Sequence, residues 1–397
     1  MLVTLYFQVH QPWRLRPLRS YEEVQGTDYW DGPKNQAILD RVAAKCYLPT
    51  NAILERLIEE NGGRFRFAFS LSGTFLEQCR AMRPDVLESF QRLAAHPEVE
   101  LLGETAYHSL AGLWDDPQEF EVQARLHREL VRDLFGRDVR VFRNTELIFD
   151  NRIARAVKAM GYEAQLTEGT EKILDWRSPA HVYESQDGLP VLLKHYRLSD
   201  DVAFRFHDPG WKEYPLTADK YARWLSQGQG DVVNLMMDYE TFGEHKWAET
   251  GIFQFLEHFP REALKAGVEF LTPGEAVRRL KPVGKLDVPF AISWADVERD
   301  VSAWLGNEMQ QEAFNALRAM RERVLATCDA QLIHAWRRLQ TSDHVYYCST
   351  KAIQDQDIHA YFSPYESPYL AFIYLMNAIR DLDDKCRARL ATAASPP

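Results

Sequence analysis

Polar side chains that can carry out acid–base or nucleophilic chemistry collect in four short segments of the chain. These segments are residues 10–13, 103–108, 143–146 and 238–245. Each directly follows an apolar run, so each is expected at the end of a buried β-strand. Two carboxylates at such strand ends could cleave a glycosidic bond, because one protonates the leaving oxygen while the other attacks the anomeric carbon or activates water.

A metal-dependent hydrolase is the second chemistry that these residues could support. His10 and Asp238, with either His108 or His245, could form a histidine–carboxylate site that keeps an open position. The sequence contains no H-x-x-x-H or H-E-x-x-H motif, so the histidines stand singly. The motifs G-x-S-x-G, G-x-G-x-x-G and G-x-x-x-x-G-K-[ST] are also absent, so nothing indicates a serine triad or a phosphate-binding loop.

The elements that must position these residues form an alternating pattern over the first two thirds of the chain. Short apolar runs predict strands at 2–9, 64–71, 99–102, 139–142, 163–166, 191–196, 232–237 and 268–271. Helical patterns lie between several of them, at 50–60, 84–95, 117–134, 151–160 and 217–228. Strands buried on both faces indicate a parallel sheet covered by helices. We therefore predict an α/β barrel, with an open doubly wound sheet as the alternative, and the barrel would place all four polar segments on one rim.

The character of the chain changes after residue 280. The segment 272–275, Thr-Pro-Gly-Glu, has the pattern of a capping box that starts a helix. Further along, apolar residues recur at helical spacing and no comparable strand pattern follows. The sequence thus predicts a catalytic barrel in residues 1–280 and a helical domain, packed on the barrel mouth, in residues 281–397.

Composition limits the partners that the 397-residue chain would take. Its formal net charge of −11 disfavours a nucleic acid or an anionic membrane as a partner. Aromatic residues make up 12% of the chain, and their rings suit the apolar faces of neutral sugars. The five cysteines include no C-x-x-C, and the first apolar run is too short for a signal peptide. These features predict reduced thiols and a cytoplasmic location, while the oligomeric state is left open.

Five segments, in order, resemble the motifs of glycoside hydrolase family 57, and in particular its α-amylase group. They are HQP (10–12), GETAYHSL (103–110), FRNTELIF (142–149), MDYETFGEH (237–245) and LTPGEA (271–276). Residues 293–307 resemble the start of the family's helical domain. The resemblance covers essentially the whole chain. It implies an α/β fold with an irregular (β/α)7 barrel followed by a C-terminal α-helical domain.

The resemblance also implies roles for individual residues. Glu146, the glutamate of FRNTE, would be the nucleophile, and Asp238, the aspartate of D-x-E-x-F-G, would be the general acid/base. His10 and His108 match positions that face the sugar at the point of cleavage. Glu240 matches the second acidic position of the fourth motif and would support Asp238 or the sugar.

Further substrate-binding residues are expected beside these motifs. Five flanking tryptophans could stack on sugar rings or anchor the barrel to the helices: Trp13, Trp30, Trp247, Trp294 and Trp304. Trp294 is favoured as a sugar contact because its segment would bring it over the barrel mouth. His245 could bind sugar or close the loop after Asp238.

The function that follows from the resemblance is a retaining α-glucan hydrolase of the α-amylase type. It would cleave α-1,4-glucosidic bonds by double displacement, without a metal ion or other cofactor. A 4-α-glucanotransferase or a glucan branching enzyme would use the same carboxylates. A metal-dependent hydrolase related to polysaccharide deacetylases, or a catalytically weak glucan-binding protein, would also be compatible with these residues.

Overall fold

The structure, a computed structural model, describes residues 1–20, 22, 24–351 and 363–394. The strands in this part are β1 (Leu2–Val9), β2 (Phe67–Leu71), β3 (Val99–Leu101), β4 (Val141–Arg143), β5 (Ala164–Glu168), β6 (Val182–Glu184), β7 (Pro190–Lys194), β8 (Val232–Asp238) and β9 (Glu269–Leu271). The helices between the strands, and the one directly after β9, are α1 (Gly32–Val42), α2 (Leu48–Glu60), α3 (Gly73–Met82), α4 (Pro84–Ala95), α5 (Gln118–Phe135), α6 (Asn151–Ala159), α7 (Glu171–Leu174), α8 (Tyr196–Ala203), α9 (Ala218–Ser226), α10 (Ile252–Lys265) and α11 (Pro273–Arg279). The helices that follow are α12 (Ser302–Leu305), α13 (Glu308–Ala319), α14 (Arg321–Ala326), α15 (Ala330–Leu339), α16 (Ser342–Tyr346) and α17 (Pro368–Ala394).

Seven parallel strands form an irregular barrel. Their order is β3-β2-β1-β8-β7-β5-β4. The two ends of this sheet meet at Gly103, whose N–H donates to the Val141 carbonyl at 2.9 Å and whose carbonyl accepts from the Arg143 N–H at 2.7 Å. These two bonds close the ring. The predicted (β/α)7 barrel is therefore confirmed, and the open doubly wound sheet is wrong.

Two further strands make the barrel irregular. Strand β6 pairs antiparallel with β7, and β9 pairs with only the first part of β1, at Leu2–Thr4. The strand predicted at 268–271 is confirmed as β9, which pairs in parallel with β1 but lies outside the seven-strand order. It nevertheless leads into α11 through the predicted capping box, in which Thr272 and Glu275 exchange side-chain and backbone hydrogen bonds.

Some helices have no counterpart among the predicted ones. Helix α3 is capped by Ser72, whose side chain accepts from the Phe75 N–H. Helix α10 contains Pro260 in its interior, a residue that normally ends a helix. The buried face of α10, which includes Phe255 and Phe259, packs on the barrel. This packing stabilises the helix against the helix-breaking tendency of Pro260.

Side chains inside the barrel form layers that change from apolar to polar toward the carboxyl ends of the strands. Because side chains alternate along a strand, the inward residues follow one another two positions apart. Tyr6, Leu166, Leu192 and Met236 belong to a separate buried apolar cluster in the barrel. The next inward residue on each strand, or directly after it, is polar: Gln8, Ser70, Glu104, Arg143, Glu168, Lys194 and Asp238. This polar layer is the floor of an open-ended site.

The helices after the barrel contact its mouth. The Ser342 N–H at the start of α16 donates to the His108 carbonyl at 2.9 Å, and the Thr341 hydroxyl donates to the Tyr107 carbonyl at 2.9 Å. Trp304 is only 2% exposed, so this ring is a core residue and the sugar-stacking expectation for it is wrong. The long last helix α17 agrees with the helical character predicted for residues 281–397, while the domain division at residue 280 stays a prediction.

Within the ranges that the structure describes, no helix combines the length and the apolar character needed to cross a membrane.

Candidate active site

Glu146 lies in a strained turn directly after β4. Thr145–Leu147 form one turn of 3₁₀ helix, yet Glu146 has φ 55° and Leu147 has φ 53°. Left-handed backbone is unfavourable for a residue with a side chain, so the surrounding structure must hold this turn in place. As a result, Leu147 is fully buried in the barrel and the Glu146 side chain remains 22% exposed at the mouth.

The carboxylate of Glu146 is held by two N–H donors. His108 Nε2 lies 3.2 Å from one oxygen, and the Trp294 indole N–H donates to the other at 2.7 Å. Burial raises the pKa of this carboxyl, but the hydrogen bond and the charge of His108 outweigh burial and lower the pKa below its ordinary value. Glu146 is therefore ionised at neutral pH.

His108 links Glu146 to a second, fully buried carboxylate. Its Nδ1 lies 2.8 Å from Glu104, and Glu104 also accepts from the Ser70 hydroxyl at 2.5 Å. Burial lowers the pKa of His108, but the hydrogen bonds to Glu104 and Glu146 raise it to about 9. His108 is thus a cation that donates from both ring nitrogens. Glu104 stays ionised, because the effect of His108 exceeds that of burial and lowers the Glu104 pKa to about 2.

Asp238, at the end of β8, has a raised pKa, in contrast to Glu146. Burial, and then the negative charge of Glu146, raise the pKa of Asp238 to about 6. Glu240 is buried beside it and accepts from the Tyr47 hydroxyl at 2.5 Å. Burial and the charge of Asp238 raise the pKa of Glu240 to about 8. Two carboxyl groups of this site can therefore carry a proton near neutral pH while Glu146 does not.

The loop after Asp238 requires a glycine. Gly243 has φ +107°, and a Cβ at this position would lie 1.9 Å from the Lys45 carbonyl oxygen. Only glycine allows the backbone to pass so close to the π-helical turn Ala43–Tyr47. This close approach keeps Tyr47 within reach of Glu240.

His10 covers His108 on the side of the first strand. The two rings stack with centroids 3.9 Å apart, and His10 also contacts the Ser72 hydroxyl at 2.7 Å and Asp343 of α16 at 2.8 Å. Burial, and then the positive charge of His108, lower the pKa of His10. The pair thus combines one neutral and one cationic ring.

The other two predicted site residues are Trp13 and His245. The Trp13 indole N–H donates to Glu77 at 3.2 Å. The Arg338 guanidinium lies over the Trp13 ring, 4.4 Å from the ring centre. His245 follows Glu240 closely, since its backbone N–H donates to the Glu240 carbonyl at 2.8 Å. Burial and the charge of Lys246 lower the pKa of His245 to about 4.

The structure therefore brings six of the predicted residues together through direct contacts or mutual charge effects: His10, His108, Glu146, Asp238, Glu240 and Trp294. Glu104 and Asp343 belong to the same network but have no role predicted from the sequence. Glu104 precedes His108 by four residues within one motif, and this short spacing is a local signal that the two side chains can meet. Asp343 lies in a helix more than 300 residues from its partner His10, and no local pattern marks it.

The arrangement can pair an ionised carboxylate with a protonated one at the mouth of a barrel. This is the electrostatic asymmetry that nucleophile and acid roles require. His10 and His108 each use both ring nitrogens in hydrogen bonds, which is unlike the arrangement of metal ligands. Among the residues that the structure describes, no group of three His, Cys, Asp or Glu side chains is arranged to hold a metal ion.

Comparison with known proteins gives one family over most of the chain. The profile of Glycosyl hydrolase family 57 matches residues 4–289. A protein of Methanocaldococcus jannaschii named "Putative alpha-amylase" is 43% identical over 403 residues, which cover 98% of this chain and 86% of that protein.

Solved structures with the same fold share little sequence with this chain. The crystal structure of a GH57-type branching enzyme from Pyrococcus horikoshii superposes with a TM-score of 0.70 at 15% identity, covering 90% of this chain and 87% of that one. A 4-alpha-glucanotransferase from Thermococcus litoralis gives a TM-score of 0.63 at 16% identity, covering 87% of this chain and 56% of that one. These likenesses support the fold, while the profile match and the 43% identity identify the family. The chain belongs to glycosyl hydrolase family 57 and is a glycoside hydrolase.

Proposed function

We propose that the protein is a retaining α-glucan hydrolase of the α-amylase type that cleaves α-1,4-glucosidic bonds by double displacement. The observation that carries the two catalytic roles is the opposite protonation of two neighbouring carboxyl groups, and double displacement is inferred from the resemblance of residues 142–149 to the family's nucleophile motif. Glu146 is held ionised by His108 and Trp294. Burial and the charge of Glu146 raise the pKa of Asp238 to about 6, so Asp238 keeps its proton below that pH. The M. jannaschii relative carries an α-amylase name, which supports an α-glucan as the substrate.

In the first step Asp238 protonates the glycosidic oxygen while Glu146 attacks the anomeric carbon. The C–O bond to the leaving sugar breaks, and a glycosyl ester of Glu146 forms. The hydrogen bond from cationic His108 preserves the charge of Glu146 until the attack. Glu104 stabilises that cation from the other side of the ring, so the buried positive charge is paired.

In the second step the ionised Asp238 removes a proton from water, which attacks the anomeric carbon and releases Glu146. The proton returns to Asp238, so the site is restored after each turnover. Glu240 keeps its own proton in this range and supports Asp238 without competing for the role of base.

Sugar binding is proposed for the residues around this pair. His10 and Glu240 lie beside the catalytic groups and would contact hydroxyl groups at the cleavage point. Trp13 and Trp294 would offer indole surface, and His245 a neutral ring, to neighbouring sugars. Alanine at any of these five positions is a direct test, since loss of a sugar contact raises KM for maltodextrins.

Product analysis with maltoheptaose, with and without EDTA, tests the proposed activity. Hydrolysis gives only shorter maltodextrins in both samples. Products longer than the substrate would mean that a sugar hydroxyl replaces water, as in a 4-α-glucanotransferase, and new 1,6 bonds would mean branching. Loss of activity with EDTA would favour a metal-dependent hydrolase, and tight binding without turnover would favour a glucan-binding protein.

The pH dependence of hydrolysis is expected to be bell-shaped. Activity requires Glu146 to be ionised and Asp238 to be protonated. The acid limb of kcat/KM therefore lies below the ordinary glutamate pKa, and the rate falls as pH rises through about 6, where free Asp238 loses its proton. Initial rates on maltoheptaose between pH 3 and 9 measure both limbs.

The Glu240→Gln variant separates the two protonated carboxyls in this profile. Because Glu240 carries a proton through the pH range in which Asp238 ionises, the neutral amide leaves the basic limb close to its original position. A basic limb that disappears in this variant would assign the acid role to Glu240 and contradict the role proposed for Asp238.

A further inference from the structure

Residues 292–300, here named the strap, follow the barrel strands and run back to the nucleophile turn. At the start of the strap, Ile292 exchanges two backbone hydrogen bonds with Phe149, both 3.0 Å long. Two residues later, the Trp294 N–H donates to the Glu146 carbonyl at 3.3 Å. The strap therefore pairs with the backbone that carries Glu146, at a point where that backbone has an unfavourable φ of 55°.

The same strap residue fixes the Glu146 side chain. One carboxylate oxygen faces His108 at 3.2 Å and the other accepts from the Trp294 indole at 2.7 Å. With one donor on each oxygen, rotation of the carboxylate would break at least one bond. The plane of the nucleophile is thereby set from two sides, one belonging to the barrel and one to the strap.

The Trp294 ring is seated on the charged floor of the site. The Arg143 guanidinium lies 5.0 Å and the Lys194 ammonium 5.2 Å from the ring centre. Arg143 is fully buried, and none of its guanidinium nitrogens has a hydrogen-bond partner among the described residues. A cation this close to an indole face is stabilised by the ring, and it polarises the indole so that its N–H becomes a stronger donor.

Arg299 holds Trp294 in this position. Its guanidinium donates to the Trp294 carbonyl at 2.7 Å, to Glu168 at 3.0 Å and to Asp200 at 3.0 Å. Glu168 and Asp200 are buried residues of β5 and α8, so Arg299 ties the strap to two separate elements of the barrel. The side chain of a strap residue thus determines where the Trp294 backbone, and with it the indole, can lie.

We propose that Trp294 is a positioning residue for Glu146, acting through its indole N–H, and that Arg299 keeps Trp294 in place. This inference rests on the proposed function, because it assumes that Glu146 is the nucleophile. It assigns the strap a part in catalysis that is separate from any stacking of the Trp294 ring on sugar.

The Trp294→Phe variant tests the inference because it keeps an aromatic ring and removes the N–H. We expect kcat to fall about ten- to hundredfold, the effect of one hydrogen bond to a charged group, with KM changed less than twofold. The acid limb of the pH profile should move up by about one unit, because His108 and Arg143 remain near Glu146 but the Trp294 donor is lost. The basic limb, set by Asp238 on the facing strand, should stay where it is.

Trp176→Phe is the matched control, since this tryptophan is 91% exposed and has no part in the site. It should leave kcat and both limbs unchanged. Arg299→Lys is a second variant that does not touch Glu146, and it should give a smaller fall in kcat and a smaller upward shift of the acid limb. Arg299→Lys decides the question if Trp294→Phe does not fold.

A wild-type kcat in Trp294→Phe together with a wild-type acid limb would overturn the inference, and a raised KM alone would leave Trp294 as a sugar platform. A wild-type kcat and acid limb in Arg299→Lys would overturn the part of the inference that assigns Arg299 to holding Trp294. Failure of the proposed function is recognised separately, because Glu146→Gln would then retain its turnover. If Glu146→Gln is inactive and both strap variants behave as wild type, only the positioning role is wrong.

Discussion

Glu146→Gln is expected to lower kcat on maltoheptaose by about 10⁴-fold or more while maltodextrin binding persists. The amide is close in size to the carboxylate and can still occupy the space between His108 and Trp294. It cannot form the glycosyl ester, so the double displacement stops before its first intermediate. Single-turnover rates give the catalytic loss, and calorimetric titration with maltoheptaose gives the binding.

The role of nucleophile, as opposed to general support, is tested by azide. Glu146→Gly opens the space on one side of the sugar, so azide can attack directly and restore cleavage of an activated aryl α-maltoside. The product should be a glycosyl azide with inverted configuration at the anomeric carbon. No rescue, or a product with retained configuration, would contradict the assignment of Glu146.

A matched acid-to-amide control is available at Glu163. This carboxylate is 37% exposed and forms ion pairs with Arg140 and Arg278 at the surface. Glu163→Gln should retain the wild-type kcat, since exposed pairs of this kind contribute little. A comparable loss in both variants would point to a general defect in folding, which thermal unfolding would also reveal.

The residues at the strand ends could be predicted because their position follows from local patterns. An apolar run followed by polar residues predicts a strand and its rim, and parallel strands place all rims together. This pattern predicts the positions of His10, His108, Glu146 and Asp238, whereas their individual roles follow from the family resemblance. The protonation of the two carboxyls could not be predicted, because it depends on burial and on charges that come from other strands.

Residues that reach the site from elsewhere in the chain were harder to predict. Asp343 meets His10 across 333 positions, and Arg299 meets Glu168 across 131. Neither pairing leaves a periodic or spacing signal, because both depend on how the segments after the barrel fold back over its mouth. The sequence predicts Trp294 near the mouth, where the structure places it beside Glu146, yet its hydrogen bond to Glu146 depends on the strained turn, which no residue preference indicates.

Asp238→Asn is expected to lower kcat/KM on maltoheptaose by about 10²- to 10⁴-fold, because the poor leaving sugar needs a proton. The effect should be far smaller for the first step on a dinitrophenyl α-maltoside, whose leaving group departs without one. The second step then becomes slow, since no base activates water. A burst of dinitrophenol followed by a slow steady state would report the accumulated ester of Glu146.

Azide distinguishes this variant from the one at Glu146. In Asp238→Asn, azide needs no base and attacks the glycosyl ester, so it should raise the steady-state rate and give a glycosyl azide with retained configuration. The opposite stereochemistry in the two variants would assign the two carboxyls independently of any pH profile. Equal losses on maltoheptaose and the activated maltoside, without a burst, would mean that the proton comes from another group, and Glu240 would then be the residue to replace next.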